Sequence, residues 1–301
     1  MLTVTLPVYN AMPYLPAAVE SILSQSYADF DFLIIDDGST DGSADYLRSS
    51  CDPRIKLKVR ENRGLGATLN ELFRDSRTEY VARMDADDIS PSDRLSKQMA
   101  YLREHGHVVA LGTGLAFIVG DRLVGAPRPA ADHSAIRHRL LQKRPGLNHP
   151  TMVVKRAAWQ AIGGYRFSGA GEDLDFCLRL CDVGRVANIP QPSYHYRLRE
   201  ESLSFTTRGE TQVGYAFAVA CARAREHGLA EPEFLNFHSA WERRSSWTRF
   251  GQFFSDAGQG LYRRSIIRRG EGHAVASYVY LAGAAICRPR IALSRLATRQ
   301  A

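Results

Sequence analysis

Acidic residues occur in three short clusters that could do chemistry. Residues 36–37 (Asp-Asp) follow the apolar run 32–35, and residues 85–88 (Asp-Ala-Asp-Asp) follow a second apolar run that begins near Tyr80. Residues 172–173 (Glu-Asp) open a stretch whose apolar spacing predicts a helix. Carboxylates in such places can accept hydrogen bonds from a base or a ribose, bind a hard divalent cation, or take a proton from an attacking hydroxyl. The clusters therefore indicate a ligand-binding or catalytic site.

Three carboxylates lie within the four residues 85–88. They would repel one another unless a cation joins them, and Mg²⁺ or Mn²⁺ is the natural partner. A calcium loop does not fit, because Ile89 and Ser90 stand where such a loop needs an oxygen ligand and a glycine. A solvated acidic turn is the structural alternative.

Residues 39–41 (Ser-Thr-Asp) follow the first acidic cluster and could serve only to cap a helix. That role would leave Asp36 and Asp37 unexplained.

The elements that must position these residues follow one another along the first third of the chain. Short apolar runs alternate with helical patterns and begin near Leu2, Phe30, Ile55 and Tyr80. A repeat of about twenty-five residues is typical of βαβ units, which form a parallel sheet with helices on both faces. Ligands gather at the carboxyl ends of such strands, so we expect the functional residues just after each strand.

The second half of the chain has a different pattern. Runs at 108–111, 116–119 and 123–124 are separated by glycines or by Asp121-Arg122, which predicts short antiparallel strands. Beyond Ser204 the sequence is rich in alanine and arginine and has helical spacing, so a helical appendage is expected there.

Six motifs, in order and spacing, resemble those of the family 2 glycosyltransferases, inverting enzymes with the nucleotide-diphospho-sugar transferase (GT-A) fold. The motifs are residues 7–10 (Pro-Val-Tyr-Asn), 36–41, 62–64 with Asn70, 85–88, 163–165 (Gly-Gly-Tyr) and 171–176, ending near Tyr196. The resemblance implies an α/β fold with a Rossmann-like mixed sheet whose N-terminal half is parallel. It implies a domain over residues 1–205, with a nucleotide-binding half (1–104) and an acceptor-binding half (105–205). An arginine-rich helical region, 206–301, would follow.

The resemblance also implies roles in donor binding. Pro7 and Tyr9 would line the nucleotide pocket, and Asp37 would accept a hydrogen bond from the base, most often uracil, with Asp36 in support. Arg63 would face the nucleotide, as could Arg60, although arginines that flank a loop are more often solvated.

The same resemblance implies a metal site and a catalytic base. Asp85 would face the ribose or sugar, and Asp87 would hold Mn²⁺ or Mg²⁺ beside the departing nucleoside diphosphate. Some relatives supply a further ligand from the region of His195, although a lone histidine between aromatic residues is more often packed. Asp173, next to Glu172, would take the proton from the acceptor hydroxyl.

The helix predicted after Gly171 puts its acids at the positive helix end, which favours their ionised form. Simple charge complementarity at that end is the structural alternative. Residues 163–165, just upstream, fit a flexible loop on the acceptor side.

The expected activity is metal-dependent inverting transfer from a nucleotide diphosphate donor, a UDP-sugar first of all, to a hydroxyl of a glycan or lipid-linked glycan. The expected context is cell-surface polysaccharide or lipopolysaccharide synthesis. Processive, membrane-embedded synthases of the family carry a Gln-x-x-Arg-Trp motif after the catalytic acid, and its absence predicts a non-processive enzyme. A nucleotidyltransferase of similar fold is an alternative, but residues 7–11 lack the glycine-rich loop that it would need.

The charge is unevenly distributed along the chain. The 301 residues carry a net charge of +7, yet residues 1–200 hold 25 basic and 24 acidic side chains. From Arg243 onward eleven arginines accompany two acids, a net +9. Arginines beside apolar segments suit helices that lie on an anionic membrane. A helical cap with a solvated face, or a nucleic-acid-binding tail, are the alternatives. The latter is disfavoured because acids at the strand ends would repel phosphates, so no nucleic-acid partner is expected.

The remaining composition suggests a cytoplasmic protein, on the inner face of the plasma membrane if the tail binds lipid. Five cysteines form no Cys-x-x-Cys pair, and the N-terminus lacks the pattern of a signal peptide. The uncharged stretch at residues 274–287 has fourteen residues, short of the roughly twenty needed to span a bilayer.

Overall fold

The computed structural model describes residues 1–166, 171–199 and 208–287. These residues form two compact units. The first contains the described residues of 1–116, 126–196 and 210–232, and the second those of 117–125, 197–209 and 233–287. The domain boundary expected at residue 205 lies outside the described residues and stays a prediction.

The first unit is built around a mixed sheet. The strands of the chain are β1 (Leu2–Val8), β2 (Phe30–Asp36), β3 (Ile55–Val59), β4 (Tyr80–Arg83), β5 (Val108–Val119), β6 (Arg122–Gly125), β7 (Val153–Lys155) and β8 (Arg185–Arg197). The order runs β3-β2-β1-β4-β7-β5, and β8 pairs with β5. Strands β1 to β4 are mutually parallel, whereas β7 is antiparallel to both β4 and β5. The four strands expected at Leu2, Phe30, Ile55 and Tyr80 are thus confirmed.

Helices follow and connect these strands along the chain. They are α1 (Leu15–Leu23), α2 (Ser43–Ser49), α3 (Leu65–Asp75), α4 (Arg94–Glu104), α5 (His133–Leu141), α6 (Arg156–Ala161), α7 (Glu172–Val183), α8 (Arg208–Glu226), α9 (Phe234–Glu242), α10 (Ser246–Gly270) and α11 (Ala274–Cys287). In α1 the side chains of Leu15, Val19 and Ile22 are buried, a spacing that puts one stripe of the helix into the core. The helices expected beyond Ser204 are present, and residues 210–226 of α8 belong to the first unit.

Strand β5 differs from its prediction. Gly112 and Gly114, which indicated breaks in the sequence, lie inside one continuous strand. A Cβ at Gly112 would overlap the side chain of Asn188, and one at Gly114 would lie 2.6 Å from the carbonyl oxygen of Pro190. Separate strands at 108–111 and 116–119 were therefore a wrong prediction. Gly112 leaves room for a side chain and Gly114 for another backbone, and neither glycine ends the strand.

The second unit combines a small hairpin with helices. The last residues of β5 pair antiparallel with β6, for example Phe117 with Gly125. Helices α10 and α11 pack together, and the Ser277 hydroxyl donates a hydrogen bond of 2.8 Å to the carbonyl oxygen of Ser265. No helix in the described part of the chain has both the length and the hydropathy that crossing a bilayer needs.

Candidate active site

The carboxyl ends of the parallel strands place most of the predicted site residues along one edge of the sheet. Val8 is in register with Asp36, and Asp36 with Val59. Thr5 of β1 is in register with Arg83, the last residue of β4. The loops that follow these strands therefore leave the sheet side by side, as the parallel topology predicts.

Asp37 organises the loop after β3. Its carboxylate accepts hydrogen bonds of 2.9 Å from the backbone N–H groups of Arg63 and Gly64, and it forms a buried ion pair with Arg60. Arg60 also pairs with Glu71 at 3.1 Å. Arg60 is thus a structural cation rather than a residue that faces a nucleotide. The Arg63 side chain, in contrast, is exposed.

Tyr9 lies exposed immediately after β1, and Pro7 is half-buried at the end of that strand. The loop between β1 and α1 is fixed by Asn10, whose Oδ1 accepts a hydrogen bond of 2.8 Å from the Thr40 N–H. The Asn10 N–H donates to the Ser39 hydroxyl at 2.9 Å. The loops after β1 and β2 are joined in this way, which leaves the Tyr9 ring, 55% exposed, at the sheet edge.

Buried side chains fix the position of Asp85. It forms an ion pair of 2.8 Å with Arg83, and its backbone N–H donates to the Tyr194 hydroxyl at 3.1 Å. Arg94 donates to the Arg83 carbonyl at 3.1 Å and lies 5.3 Å from the centre of the Tyr194 ring. Desolvation raises the pKa of Asp85, and Arg83 opposes that shift. This packing fixes the backbone of the acidic motif.

A backbone bridge links the segment of Asp87 to His195. Ile89, two residues after Asp87, forms a β-bridge with His195, with N–O distances of 3.0 and 2.9 Å. Burial lowers the pKa of His195, which favours the neutral imidazole that can ligate a metal. The described residues contain no cluster of three or more potential ligands. Mg²⁺ and Mn²⁺ sites commonly use one or two protein ligands and take the rest from water and substrate phosphates.

Glu172 and Asp173 begin α7, as predicted. Asp173 accepts a hydrogen bond of 2.8 Å from the Leu174 N–H and one of 3.0 Å from the Tyr215 hydroxyl. Desolvation raises the pKa of Asp173, and both hydrogen bonds oppose this shift. Desolvation and the neighbouring Asp173 raise the pKa of Glu172 to about 7. The backbone N–H groups at the start of the helix lower the pKa of Glu172, in the direction expected for this helix end, but desolvation outweighs them.

Tyr215 is a site residue that sequence reasoning missed. It lies on α8, forty-two positions after Asp173. A Cβ on Gly171, whose φ is +106°, would lie 2.7 Å from the carbonyl carbon of Gly214. Two glycines thus let α8 approach the start of α7 closely enough for Tyr215 to reach the carboxylate. No local pattern in the sequence could have revealed this contact.

Arg83 was also missed. It is 3% exposed, and its charge lowers the pKa of Glu172, Asp173 and His149. The strand-end acids and the α7 acids therefore share one cationic neighbour. The available signal was an arginine at the end of the buried strand β4, directly before the acidic motif.

Residues 163–165 do not form the flexible loop that was expected. Gly163 and Gly164 both have a φ of +72°. The Asn70 side chain makes two hydrogen bonds of 2.8 Å with the backbone N–H and carbonyl of Tyr165. The Tyr165 ring is buried and stacks on Phe176 at a centroid distance of 4.0 Å. This segment anchors the approach to α7.

Asp175, in the first turn of α7, also serves the structure. It is fully buried and pairs with Arg166 at 2.5 Å and Arg179 at 2.7 Å. Arg166 in turn pairs with Glu231 at 2.7 Å. The ion pairs join α7 to the segment after α8, which favours a fixed position for the acids at the start of α7.

The fold is that of the GT-A glycosyltransferases. Staphylococcus aureus TarS 1–349 in complex with UDP-GlcNAc matches with a TM-score of 0.63 and 16% identity, over 95% of this chain and 91% of that one. The mannosyltransferase PcManGT of Pyrobaculum calidifontis, in complex with GDP-Man and Mn²⁺, matches with a TM-score of 0.54 and 18% identity, over 99% and 79% of the two chains.

Sequence similarity identifies the family. The family model for Glycosyl transferase family 2 matches residues 3–163. The glycosyltransferase EpsE of Bacillus subtilis is 32% identical over 240 residues, which cover 74% of this chain and 82% of EpsE. The O-antigen biosynthesis glycosyltransferase WbnJ of Escherichia coli is 28% identical over 208 residues, 67% of this chain and 81% of WbnJ. The chain belongs to glycosyltransferase family 2 and is a glycosyltransferase.

Proposed function

We propose that the enzyme transfers a single sugar, or a few, from a nucleoside diphosphate donor to a hydroxyl of a glycan or lipid-linked glycan, with inversion at the anomeric carbon. The observation that carries this proposal is the shared environment of two acidic clusters. Asp85 pairs with Arg83 at the end of β4, and the charge of Arg83 also acts on Glu172 and Asp173 at the start of α7. A donor site and a proton acceptor would then lie within one site.

Donor binding is proposed for the edge formed by the loops after β1, β2 and β3. The exposed Tyr9 ring, next to Pro7, can pack against a base. Three hydrogen-bond donors already use Asp37, but an ionised carboxylate has about four acceptor positions and can still accept from a base imide. The exposed Arg63 can meet a phosphate. UDP-sugars are the first candidates.

Asp87 and His195 are the proposed metal ligands. A Mn²⁺ or Mg²⁺ ion bound there would stabilise the negative charge of the departing diphosphate. Asp85, fixed by Arg83 and Tyr194, would accept hydrogen bonds from the ribose or the sugar. The protein thus contributes few ligands, and the donor's phosphates complete the set.

Asp173 is the proposed catalytic base. As the acceptor oxygen attacks the anomeric carbon opposite the diphosphate, its proton passes to the Asp173 carboxylate. Hydrogen bonds from Leu174 and Tyr215 favour the ionised form that this step needs. Glu172, with a pKa of about 7, is partly protonated at neutral pH, which limits the negative charge beside the base.

The relatives suggest the class of acceptor. WbnJ is named for O-antigen biosynthesis and TuaG of Bacillus subtilis for teichuronic acid biosynthesis. We therefore propose an intermediate of a cell-surface polysaccharide as the acceptor. The enzyme would work at the cytoplasmic face of the membrane, with its basic C-terminal region near the lipid.

The proposal is tested first by a panel of nucleotide-sugars, with binding measured by calorimetry and transfer to simple glycosides followed by NMR. We expect one UDP-sugar to bind and the product to have the inverted anomeric configuration. A product of retained configuration would refute the single-displacement step with Asp173 as base. Failure of every nucleotide-sugar to bind would refute the donor assignment.

A further inference from the structure

Helix α11 presents an apolar face to solvent. The exposed fractions of Val275, Tyr278, Val279 and Ile286 are 80, 71, 67 and 79%. Their spacing puts them on one side of a helix. The fourteen residues of α11 include no charged side chain. Large apolar surfaces of this kind are uncommon on soluble proteins and usually mark an interaction site.

Helix α10 adds exposed aromatic rings near its start. Trp247, Phe250 and Phe253 are 83, 57 and 67% exposed, and Phe254 is 38% exposed. The rings contact one another, with centroid distances of 6.4 Å for Trp247–Phe250 and 4.8 Å for Phe250–Phe254. We call the exposed apolar residues of α10 and α11 the apolar surface. Its members are Trp247, Phe250, Phe253, Phe254, Val275, Tyr278, Val279 and Ile286.

The opposite side of α11 already has a packing partner. Ser277 and Ala284 are buried, and Ser277 is hydrogen-bonded to α10. A Cβ on Gly283 would lie 3.2 Å from the Leu261 side chain, in close contact with α10. The fold of the helix pair therefore does not depend on the exposed side, which is available for another partner.

The charges near the apolar surface indicate what kind of partner binds it. Helix α10 carries two pairs of adjacent arginines, Arg263-Arg264 and Arg268-Arg269, and both Arg264 and Arg269 are exposed. A second copy of the chain on this surface would bring arginine against arginine. An anionic bilayer would neutralise them, and aromatic rings favour the interfacial region of a bilayer.

We propose that the apolar surface inserts into the headgroup region of an anionic lipid bilayer while the arginines of α10 bind lipid phosphates. At about 1.5 Å per residue, α11 is about 21 Å long, less than the roughly 30 Å of a hydrocarbon core, so it would lie along the surface. Membrane docking would hold the enzyme where lipid-linked acceptors are found. Only the statement about lipid-linked acceptors rests on the proposed function.

Vesicle flotation of the full chain tests the docking. Vesicles of equimolar phosphatidylcholine and phosphatidylglycerol should recover the protein at least about tenfold better than phosphatidylcholine alone. The double variant Val275→Glu/Val279→Glu should lose about tenfold or more of this recovery, because two charges enter the inserted face. The matched control is Leu229→Glu, which makes the same kind of change at a 67% exposed residue of the first unit and should bind like the wild type.

Two further measurements sharpen the test. Replacing Arg264 and Arg269 by glutamine should weaken binding to the anionic vesicles about tenfold or more. Trp247 fluorescence should be quenched by brominated lipid, and Trp247→Phe should abolish most of that quenching, because Trp159 and Trp241 lie outside the apolar surface. Circular dichroism of each variant would establish that it is folded.

Several results would overturn the proposal. One is equal recovery with and without anionic lipid, and another is unchanged recovery of the double glutamate variant. A wild-type dimer that Val279→Glu dissociates, without vesicle binding, would assign the surface to a second copy. Donor hydrolysis in solution separates this proposal from the proposed function: the double glutamate variant should hydrolyse the donor like the wild type. A protein that binds vesicles but no nucleotide-sugar would refute only the proposed function.

Discussion

Glu172 and Asp173 are adjacent acids in different environments. Asp173 accepts hydrogen bonds from Leu174 and Tyr215, which support its ionised form, while the pKa of Glu172 is raised to about 7 by desolvation and by Asp173. Desolvation also raises the pKa of Asp173, and its two hydrogen bonds oppose that shift. These hydrogen bonds to the charged form single out Asp173 as the candidate base of the pair.

The first prediction concerns Tyr215→Phe. Loss of the hydroxyl removes a hydrogen bond that lowers the pKa of Asp173, so this pKa should rise and the acidic limb of kcat/KM should move to higher pH. A pH–rate profile measures the shift, with Tyr278→Phe on the exposed face of α11 as control. The other titratable groups that interact with Asp173 remain in the variant: Glu172, Arg83, Cys177 and Tyr165. An unchanged acidic limb would remove Tyr215 from this role.

The second prediction concerns stability. Because the pKa of Glu172 is raised from 4.5 to about 7, its ionisation opposes folding, and the penalty grows as pH rises through this range. Glu172→Gln should therefore raise the free energy of unfolding at pH 8 by about 1–2 kcal/mol, discounted because the side chain is partly exposed. At pH 4 the gain should largely vanish. Denaturant unfolding at the two pH values measures the difference, and an equal effect at both would contradict the assignment.

At the scale of elements, the parallel half of the sheet could be predicted from the sequence. Strands β1, β2 and β4 are short and largely apolar, β3 alternates apolar residues with lysines, and acidic residues follow β2 and β4, as at Asp37 and Asp85. The contacts that complete the site could not be predicted. Arg83 and Tyr215 act on Asp173 through the packing of β4 and α8 against α7, and that packing depends on the whole fold. The roles of Asn70 and Gly164 in anchoring Tyr165 were hidden for the same reason.

The third prediction concerns the contact between α7 and α8. In Gly171→Ala, the new methyl group would lie 2.7 Å from the backbone of Gly214 and push α8 away, so Tyr215 should lose contact with Asp173. Transfer should fall at least about tenfold while donor affinity changes little. Gly42→Ala is the matched control, since Gly42 also precedes a helix with a positive φ, +91°, but has nothing within 4 Å of the new methyl group.

Kinetics of transfer and calorimetry of donor binding on both variants separate backbone strain from the loss of the contact. Equal losses of transfer in Gly171→Ala and Gly42→Ala would mean that Gly171 is needed for its positive φ and not for the close approach of α8.

For the whole molecule, the charge divides along the sequence. The near-neutral first two thirds contain the clustered acids, and the excess of arginine lies beyond Arg243. Counting residues could reveal this division. It could not reveal that one side of α11 is packed and the other exposed, because both sides are apolar in sequence.

The fourth prediction is a difference in salt dependence between the proposed membrane docking and donor hydrolysis. Raising ionic strength shortens the Debye length from about 30 Å at 0.01 M to about 3 Å at 1 M. Release from anionic vesicles should therefore occur as salt is added, whereas hydrolysis of a saturating donor in solution should change less. Flotation and hydrolysis at matched salt concentrations measure the two, and vesicle binding indifferent to salt would contradict the role of the arginines.

Metal-dependent donor binding at Asp87 is tested directly by calorimetry with Mn²⁺ and with EDTA, on the wild type and on Asp87→Ala. Asp45→Ala, at an aspartate whose side chain is 84% exposed, is the control. We predict that a UDP-sugar binds the wild type and the control with Mn²⁺, and that EDTA or Asp87→Ala weakens binding about tenfold or more. Donor binding that is equally tight in Asp87→Ala, or equally tight without the metal, would contradict a metal-dependent donor site at Asp87.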